Sequence, residues 1–114
     1  MEFIENVLTF EDYCRLRESV GWVNFPNAEK SIKNSLYTIA VMQDDHIVGM
    51  GRLIGDGMYY MMVDVVVHPN YQKKGIGNKI VSMIIEYVNE ETPIGGRSSI
   101  QLAAEKGKES FYEE

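Results

Sequence analysis

Apolar and polar positions fall into short blocks along the chain, and the period of the pattern changes from block to block. Phe3 to Leu8 reads as a first strand. Thr9 then offers an N-cap oxygen, and Glu11 and Asp12 fall in the first turn, where negative side chains suit the helix dipole. Tyr13, Leu16 and Val20 follow at helical spacing, and Gly21 is placed to stop that helix. Asn27 is set to cap a second, weaker helix through about Ser35. Leu36 to Met42 is a second strand, Asp44-Asp45-His46 its turn, and Ile47 to Ile54 an antiparallel return. Asp56-Gly57 marks another tight turn before the long run Met58 to Val67, which Pro69 ends. This run is apolar on both faces, so it is predicted to lie centrally with cover on each side.

From Gly75 the period becomes helical. Ile76, Ile80, Ile84 and Val88 form one stripe, widened by Val81 and Tyr87, with Asn78, Lys79, Ser82 and Glu86 elsewhere. Ser98 to Ala103 is a fifth strand, expected to return parallel to Met58–Val67 after the crossover helix. A last helix is predicted from about Gly107 to Glu114. The order β-α-α-β-β-β-α-β-α is that of an α/β sandwich with a mixed sheet, and 114 residues make one domain, 1–114.

Composition narrows the function. With 45% hydrophobic and 25% charged residues, a packed core is expected rather than disorder. Lys plus Arg number 11 against 17 Asp plus Glu, a formal charge of −6; this argues against nucleic acid or an anionic membrane as partner, since both need clustered cations. The longest unbroken apolar run, Met58 to Val63, is far short of the roughly 18 residues of a membrane helix. One cysteine, Cys14, excludes an internal disulfide and fits a reducing compartment. The acidic start Met1-Glu2-Phe3-Ile4-Glu5 is unlike a leader, so a cytoplasmic protein is expected. His46 lies in a turn and His68 ends a strand before Pro69; they form no metal set with Cys14 and give no reason to expect a metal.

The informative segment runs from Asp64 to Asn78. A buried strand ends, a short loop follows, and Gly75 and Gly77 open an amphipathic helix. Glycine lets a ligand approach the main chain. A helix start presents unpaired N–H groups and about half a positive charge. Together they suit an anion, a pyrophosphate above all, and Lys73 and Lys74 add charge. The competing reading is a loop that uses glycine only to turn into its helix. A Walker loop is absent, and Gly49, Gly51 and Gly55 lie inside a strand with no helix after them; they fit a bulge or a close backbone approach.

Gln72-Lys73-Lys74-Gly75-Ile76-Gly77 resembles the Gln/Arg-x-x-Gly-x-Gly/Ala signature of the GNAT superfamily of acyl-CoA-dependent N-acetyltransferases. It follows the fourth strand with that family's Val-x-Val-x-Pro approach, Val65 to Pro69. Ala103-Ala104-Glu105 and Phe111-Tyr112 are similar to the family's later motif, so the resemblance spans nearly the whole chain. It implies a GNAT-like mixed sheet of about five strands, the fourth and fifth parallel and splayed at a bulge, flanked by helices. Acetyl-CoA would lie between those strands as cosubstrate, its pantetheine arm on the main chain of Val65, Val66 and Val67. The N–H groups of Gln72, Lys73, Lys74, Gly75, Ile76, Gly77 and Asn78 would hold its pyrophosphate.

The chemistry so implied is direct attack of a neutral amine on the thioester. A lysine-like ammonium, with a pKa near 10.4, costs about 4.6 kcal/mol to neutralise at pH 7, so a proton acceptor is needed. Asp64, on the fourth strand beside the thioester site, is the candidate base, with Glu105 a second carboxylate. Tyr112 is the candidate acid for the departing thiolate, and a main-chain N–H near Val65 the donor to the carbonyl oxygen. Met58 to Met62, Trp22 and Phe25 are candidates to line a pocket for a small-molecule amine, with packing the competing role for Met61 and Met62. The family continues into a closing hairpin of sixth and seventh strands that this sequence is expected to lack. The open edge of the fifth strand would then attract a second copy, a homo-oligomer. The alternative function is a catalytically weak CoA-binding module with an association or regulatory role.

Overall fold

The computed structural model describes residues 1–103; Glu105, Tyr112 and the predicted last helix lie outside the described residues. The elements are β1 (Glu2–Glu5), α1 (Phe10–Ser19), α2 (Ala28–Lys33), β2 (Tyr37–Gln43), β3 (His46–Gly55), β4 (Tyr59–Val67), a single 3₁₀ turn (Pro69–Tyr71), α3 (Ile76–Glu91) and β5 (Ser99–Leu102). They build the mixed α/β sheet expected from the sequence. Its strand order is β1-β2-β3-β4-β5, antiparallel through β4 and parallel from β4 to β5. Among the described residues no helix is long and apolar enough to cross a membrane.

Local chemistry sets most boundaries. Thr9 caps α1, its hydroxyl accepting from the Asp12 N–H at 3.1 Å, and Gly21 takes φ +82° just beyond the helix. Asp44 and Asp45 both take positive φ (54° and 65°), the mirror-image turn that matches the twist of a hairpin. Asn6, at φ 61°, ends β1 earlier than the predicted Leu8, because its backbone and side chain turn aside to bond Thr38. Asn27 sits at the start of α2 but makes no side-chain cap. β4 is covered on both faces as expected, yet β3 occupies the middle of the sheet: each strand pairs with its sequence neighbour, which leaves β4 second from the edge.

Each face of the sheet carries a core. Ile39, Val41, Val65 and Val67 point to α3, while Ala40, Met50 and Val66 point to α1 and α2, the alternation of a pleated strand. The stripe Ile76, Ile80, Ile84 and Val88 is buried. It descends onto a floor of glycine: a Cβ at Gly51 would stand 2.5 Å from Ile80 Cγ2 and 3.2 Å from Ile84 Cδ1. Ile80 is β-branched and stiff in a helix, so α3 itself would have to lift. Gly51→Ala is therefore expected to cost about 1–3 kcal/mol of stability, read as a lower urea midpoint; an unchanged midpoint would show that α3 does not rest on this glycine.

Tyr37 is buried, stacks on Tyr87 with ring centroids 4.3 Å apart, and donates its hydroxyl to Glu5. Burial, reinforced by the Glu5 carboxylate, pushes the phenol well above its ordinary value. In the unfolded chain that phenol ionises near about pH 10. The folded state holds its proton to higher pH, so stability should stay level below about pH 10 and fall above it. Tyr37→Phe should flatten that alkaline decline in a series of thermal melts, and a decline of the same steepness would exclude Tyr37 as its source.

Candidate active site

The predicted anion loop is a shallow depression at the end of β4, lined by Val67, Tyr71, Gln72, Lys73, Gly75, Ile76 and Gly77. Lys73 (φ 64°) and Gly75 (φ 80°) take left-handed backbone, so the chain coils tightly before α3. Gly75 occupies the cap position and brings no side-chain oxygen, and the first turn of α3 has no acidic residue. The first intrahelical bond runs from Lys79 N–H to the Gly75 carbonyl. The amides of Ile76, Gly77 and Asn78 precede it and form the donor-rich end of the helix dipole. Lys73, Lys74 and Asn78 are exposed around them. The Gln72 side chain turns inward, donating to the Val67 carbonyl at 2.9 Å and fastening the loop to β4.

β4 reaches this loop through a bulge. Arg52 pairs with Val63 and Met50 with Val66, so Asp64 and Val65 together oppose Gly51. Asp64, the extra residue, takes φ 52°, the left-handed conformation of the first residue in one bulge type. The inserted residue puts the neighbours Val63 and Asp64 on one face, where both line a cleft with Tyr13 and Arg52. Without it, the carboxylate would fall among the isoleucines of α3.

The bulge also re-aims the main chain. The His68 N–H bonds the Val48 carbonyl, so His68 and Val48 form a bonded pair of the antiparallel ladder. Val66 and Met50 form the next such pair, and Val65 and Val67 turn their main-chain groups the other way. The Val67 carbonyl is taken by Gln72. Among the described residues β5 pairs with Tyr59 to Met62, and the Ala103 N–H bonds the Met62 carbonyl. Among the described residues no strand lies alongside Val65. Of the three valines expected to present main chain to a cosubstrate, Val65 is the one so placed.

Asp64, the expected base, is already engaged. Its Oδ1 accepts from Arg17 Nη1; its Oδ2 accepts from Arg52 Nε at 3.1 Å, Arg52 Nη2 at 2.9 Å and the Tyr13 hydroxyl at 3.1 Å. Side-chain exposure is 11% for Arg17, 6% for Arg52 and 9% for Asp64. The Asp64 carboxylate is thus the shared counter-charge of two buried guanidiniums, and removing one member of such a set is costly. Burial, with the Asp64 charge adding to it, raises the Tyr13 phenol above its ordinary value, which keeps it a neutral donor.

The cleft over this cluster is walled by Trp22, Phe25 and Ala103. Tyr60 and Met62 pack in the core, and Tyr60 also lines, with Tyr59, Met61, Ser99 and Gln101, a separate depression. His68 caps the 3₁₀ turn, its Nδ1 accepting from the Asn70 N–H. Among the described residues no three His, Cys, Asp or Glu side chains are grouped to hold a metal. Arg17, Arg52 and Tyr13 are the residues that sequence reasoning missed. Two signals were available: Arg17 lies four residues after Tyr13 on the apolar face of α1, and Arg52 interrupts an apolar strand.

A mixed sheet opened beside a bulged strand, with an uncapped, glycine-led helix start below the opening, is the architecture of an acyltransferase-type α/β domain. Residues 34–114 match the family described as acetyltransferase (GNAT) domain. The chain is 31% identical to an uncharacterized N-acetyltransferase, ycf52-like, of Prochlorococcus marinus, over 87% of this chain and 57% of that protein; it thus spans little more than half the length of that relative. A Staphylococcus aureus protein described as a probable acetyltransferase superposes with a TM-score of 0.84 at 31% identity, over 97% of this chain and 84% of that one. An aminoglycoside 6'-N-acetyltransferase solved with coenzyme A shares the fold, with a TM-score of 0.65 at 14% identity over 80% of this chain and 57% of that one. The chain belongs to the GNAT acetyltransferase family.

Proposed function

We propose that this chain transfers an acetyl group from acetyl-CoA to a primary amine by direct attack, without an acyl-enzyme. The observation that carries this reading is the alignment of three features along β4: uncapped helix amides at Ile76 to Asn78, the open main chain at Val65, and the cleft over Asp64. The loop suits a pyrophosphate, and a coenzyme A complex on the same fold supports acetyl-CoA as cosubstrate. In this reading the Val65 N–H bonds the thioester carbonyl oxygen, where charge develops as the amine attacks. The amine enters through the Trp22–Phe25 cleft. The new N–C bond forms as the C–S bond breaks; the thiolate takes its proton from Tyr112, and the proton that the acylated nitrogen then sheds returns through water to the Tyr112 phenolate. Because the Asp64 carboxylate is engaged, the ammonium proton leaves through solvent in the cleft, and Asp64 serves as an anchor.

Calorimetry with acetyl-CoA, CoA and ATP, followed by thiol release with an aromatic ethylamine, a polyamine and a lysine peptide, tests the proposal. Binding of acetyl-CoA and amine-dependent thiol release are expected; stabilisation by ATP alone would overturn it. Tyr112→Phe should lower kcat about tenfold or more with acetyl-CoA affinity nearly unchanged; equal turnover removes the acid role. The engaged state of Asp64 also favours a second reading, a CoA-binding module with weak catalysis, for which acetyl-CoA binds and no amine in the panel releases thiol.

A further inference from the structure

Arg17 is the point at which the cosubstrate edge and the acceptor cleft meet. Nη1 donates to Asp64 Oδ1, and Nη2 donates to the Val23 carbonyl at 2.8 Å. The guanidinium lies over the Trp22 ring at 4.9 Å and the Tyr13 ring at 5.5 Å. Charge balance alone does not explain it, since Arg52 already gives two N–H groups to Asp64 Oδ2. Among the described residues its Nε is buried without a hydrogen-bond partner, a cost that its other contacts must offset. What Arg17 adds is a connection: one rigid planar head joins the β4 bulge to the segment 22–25, whose Trp22 and Phe25 wall the cleft.

The bulge needs such a hold. Aspartate takes a left-handed backbone less freely than glycine does, and such a conformation inside a strand persists when its surroundings over-determine it. We infer that Arg17 is a positioning residue for acetyl transfer: it holds Asp64 at φ 52°, and so aims Val65 at the open edge while keeping the acceptor wall in register with it. This rests on the acetyltransferase reading above.

The test uses the full chain carrying Arg17→Met alone, with Asp64→Gly, and with Asp64→Ala. Calorimetric stoichiometry with acetyl-CoA counts binding-competent molecules, and turnover is expressed per competent molecule with the panel amine that releases thiol fastest. Arg17→Met should leave acetyl-CoA affinity within about threefold, because the phosphate loop is untouched. It should lower kcat at least about tenfold and raise KM for the amine. Adding Asp64→Gly should restore turnover at least about threefold, and Asp64→Ala should not, since only glycine takes this backbone freely.

A merely structural arginine would reduce the number of competent molecules while leaving their kcat and KM unchanged, and that result overturns the inference. So does glycine performing no better than alanine. Should Arg17→Met fail to fold, Arg17→Lys carries the same comparisons, its single ammonium keeping charge on Asp64 and giving up Val23. Wild-type protein that neither binds acetyl-CoA nor releases its thiol removes the acetyltransferase reading first, and this inference with it.

Discussion

Asp64→Ala is expected to lower the unfolding free energy by about 3–5 kcal/mol, the usual cost of removing one partner from a buried ion pair. The reason lies in what stays behind. Arg52 retains the Ser31 carbonyl and the Ser35 hydroxyl, and Arg17 retains the Val23 carbonyl, but two buried guanidiniums lose their only shared counter-charge among the described residues. Alanine must also hold a left-handed backbone for which it is poorly suited. Against a typical total of about 5–15 kcal/mol, the variant would stand near the edge of folding. Asp64→Asn keeps a side chain that tolerates this backbone and one oxygen acceptor, so it should lose less. Urea unfolding decides the matter better than turnover does, since a base and an anchor would both lose activity. A loss below about 1 kcal/mol would show that Asp64 does not anchor this cluster.

Gly75→Ala is expected to weaken acetyl-CoA binding about tenfold, or about 1.4 kcal/mol, and a second glycine supplies the control. Gly75 and Gly95 have nearly the same backbone, φ 80° and 82°, and a Cβ at either would meet nothing within 4 Å. Alanine at both sites therefore carries the same cost, about 1–2 kcal/mol of left-handed strain, with no clash in either case. Only at Gly75 does relaxing that strain swing the amides that open α3. Gly95→Ala should show a similar fall in melting temperature and unchanged acetyl-CoA affinity by calorimetry. If the two variants lost affinity equally, the helix start would not be where the cosubstrate is held.

Some of the site was legible because its chemistry is local. Gly75, Gly77 and the stripe beginning at Ile76 are neighbours in sequence, and an uncapped helix start follows from the residues that compose it. The glycines of β3 were also readable as a close approach, and Gly51 under Ile80 is that approach. Asp64 was harder. A carboxylate next to a reaction centre suggests a base, and nothing within ten residues contradicts it. Its partners stand 47 positions earlier, at Arg17, and 12 earlier, at Arg52. Single charges in the apolar patterns of α1 and β3 were the available hint that each required a buried partner.

The order of strands and helices, the two-sided cover of β4 and the donor-rich start of α3 were determined by the sequence alone, since periodicity, caps and turn residues act over a few positions. The tertiary structure decided which side chains Asp64 meets, which valine opens its main chain, and which aromatics form the cleft. An inserted residue in β4 turns one carboxylate from the face of α3 to that of α1, and there three charges meet from three elements. Electrostatic pairing depends on distance through space, and only the folded chain sets that distance.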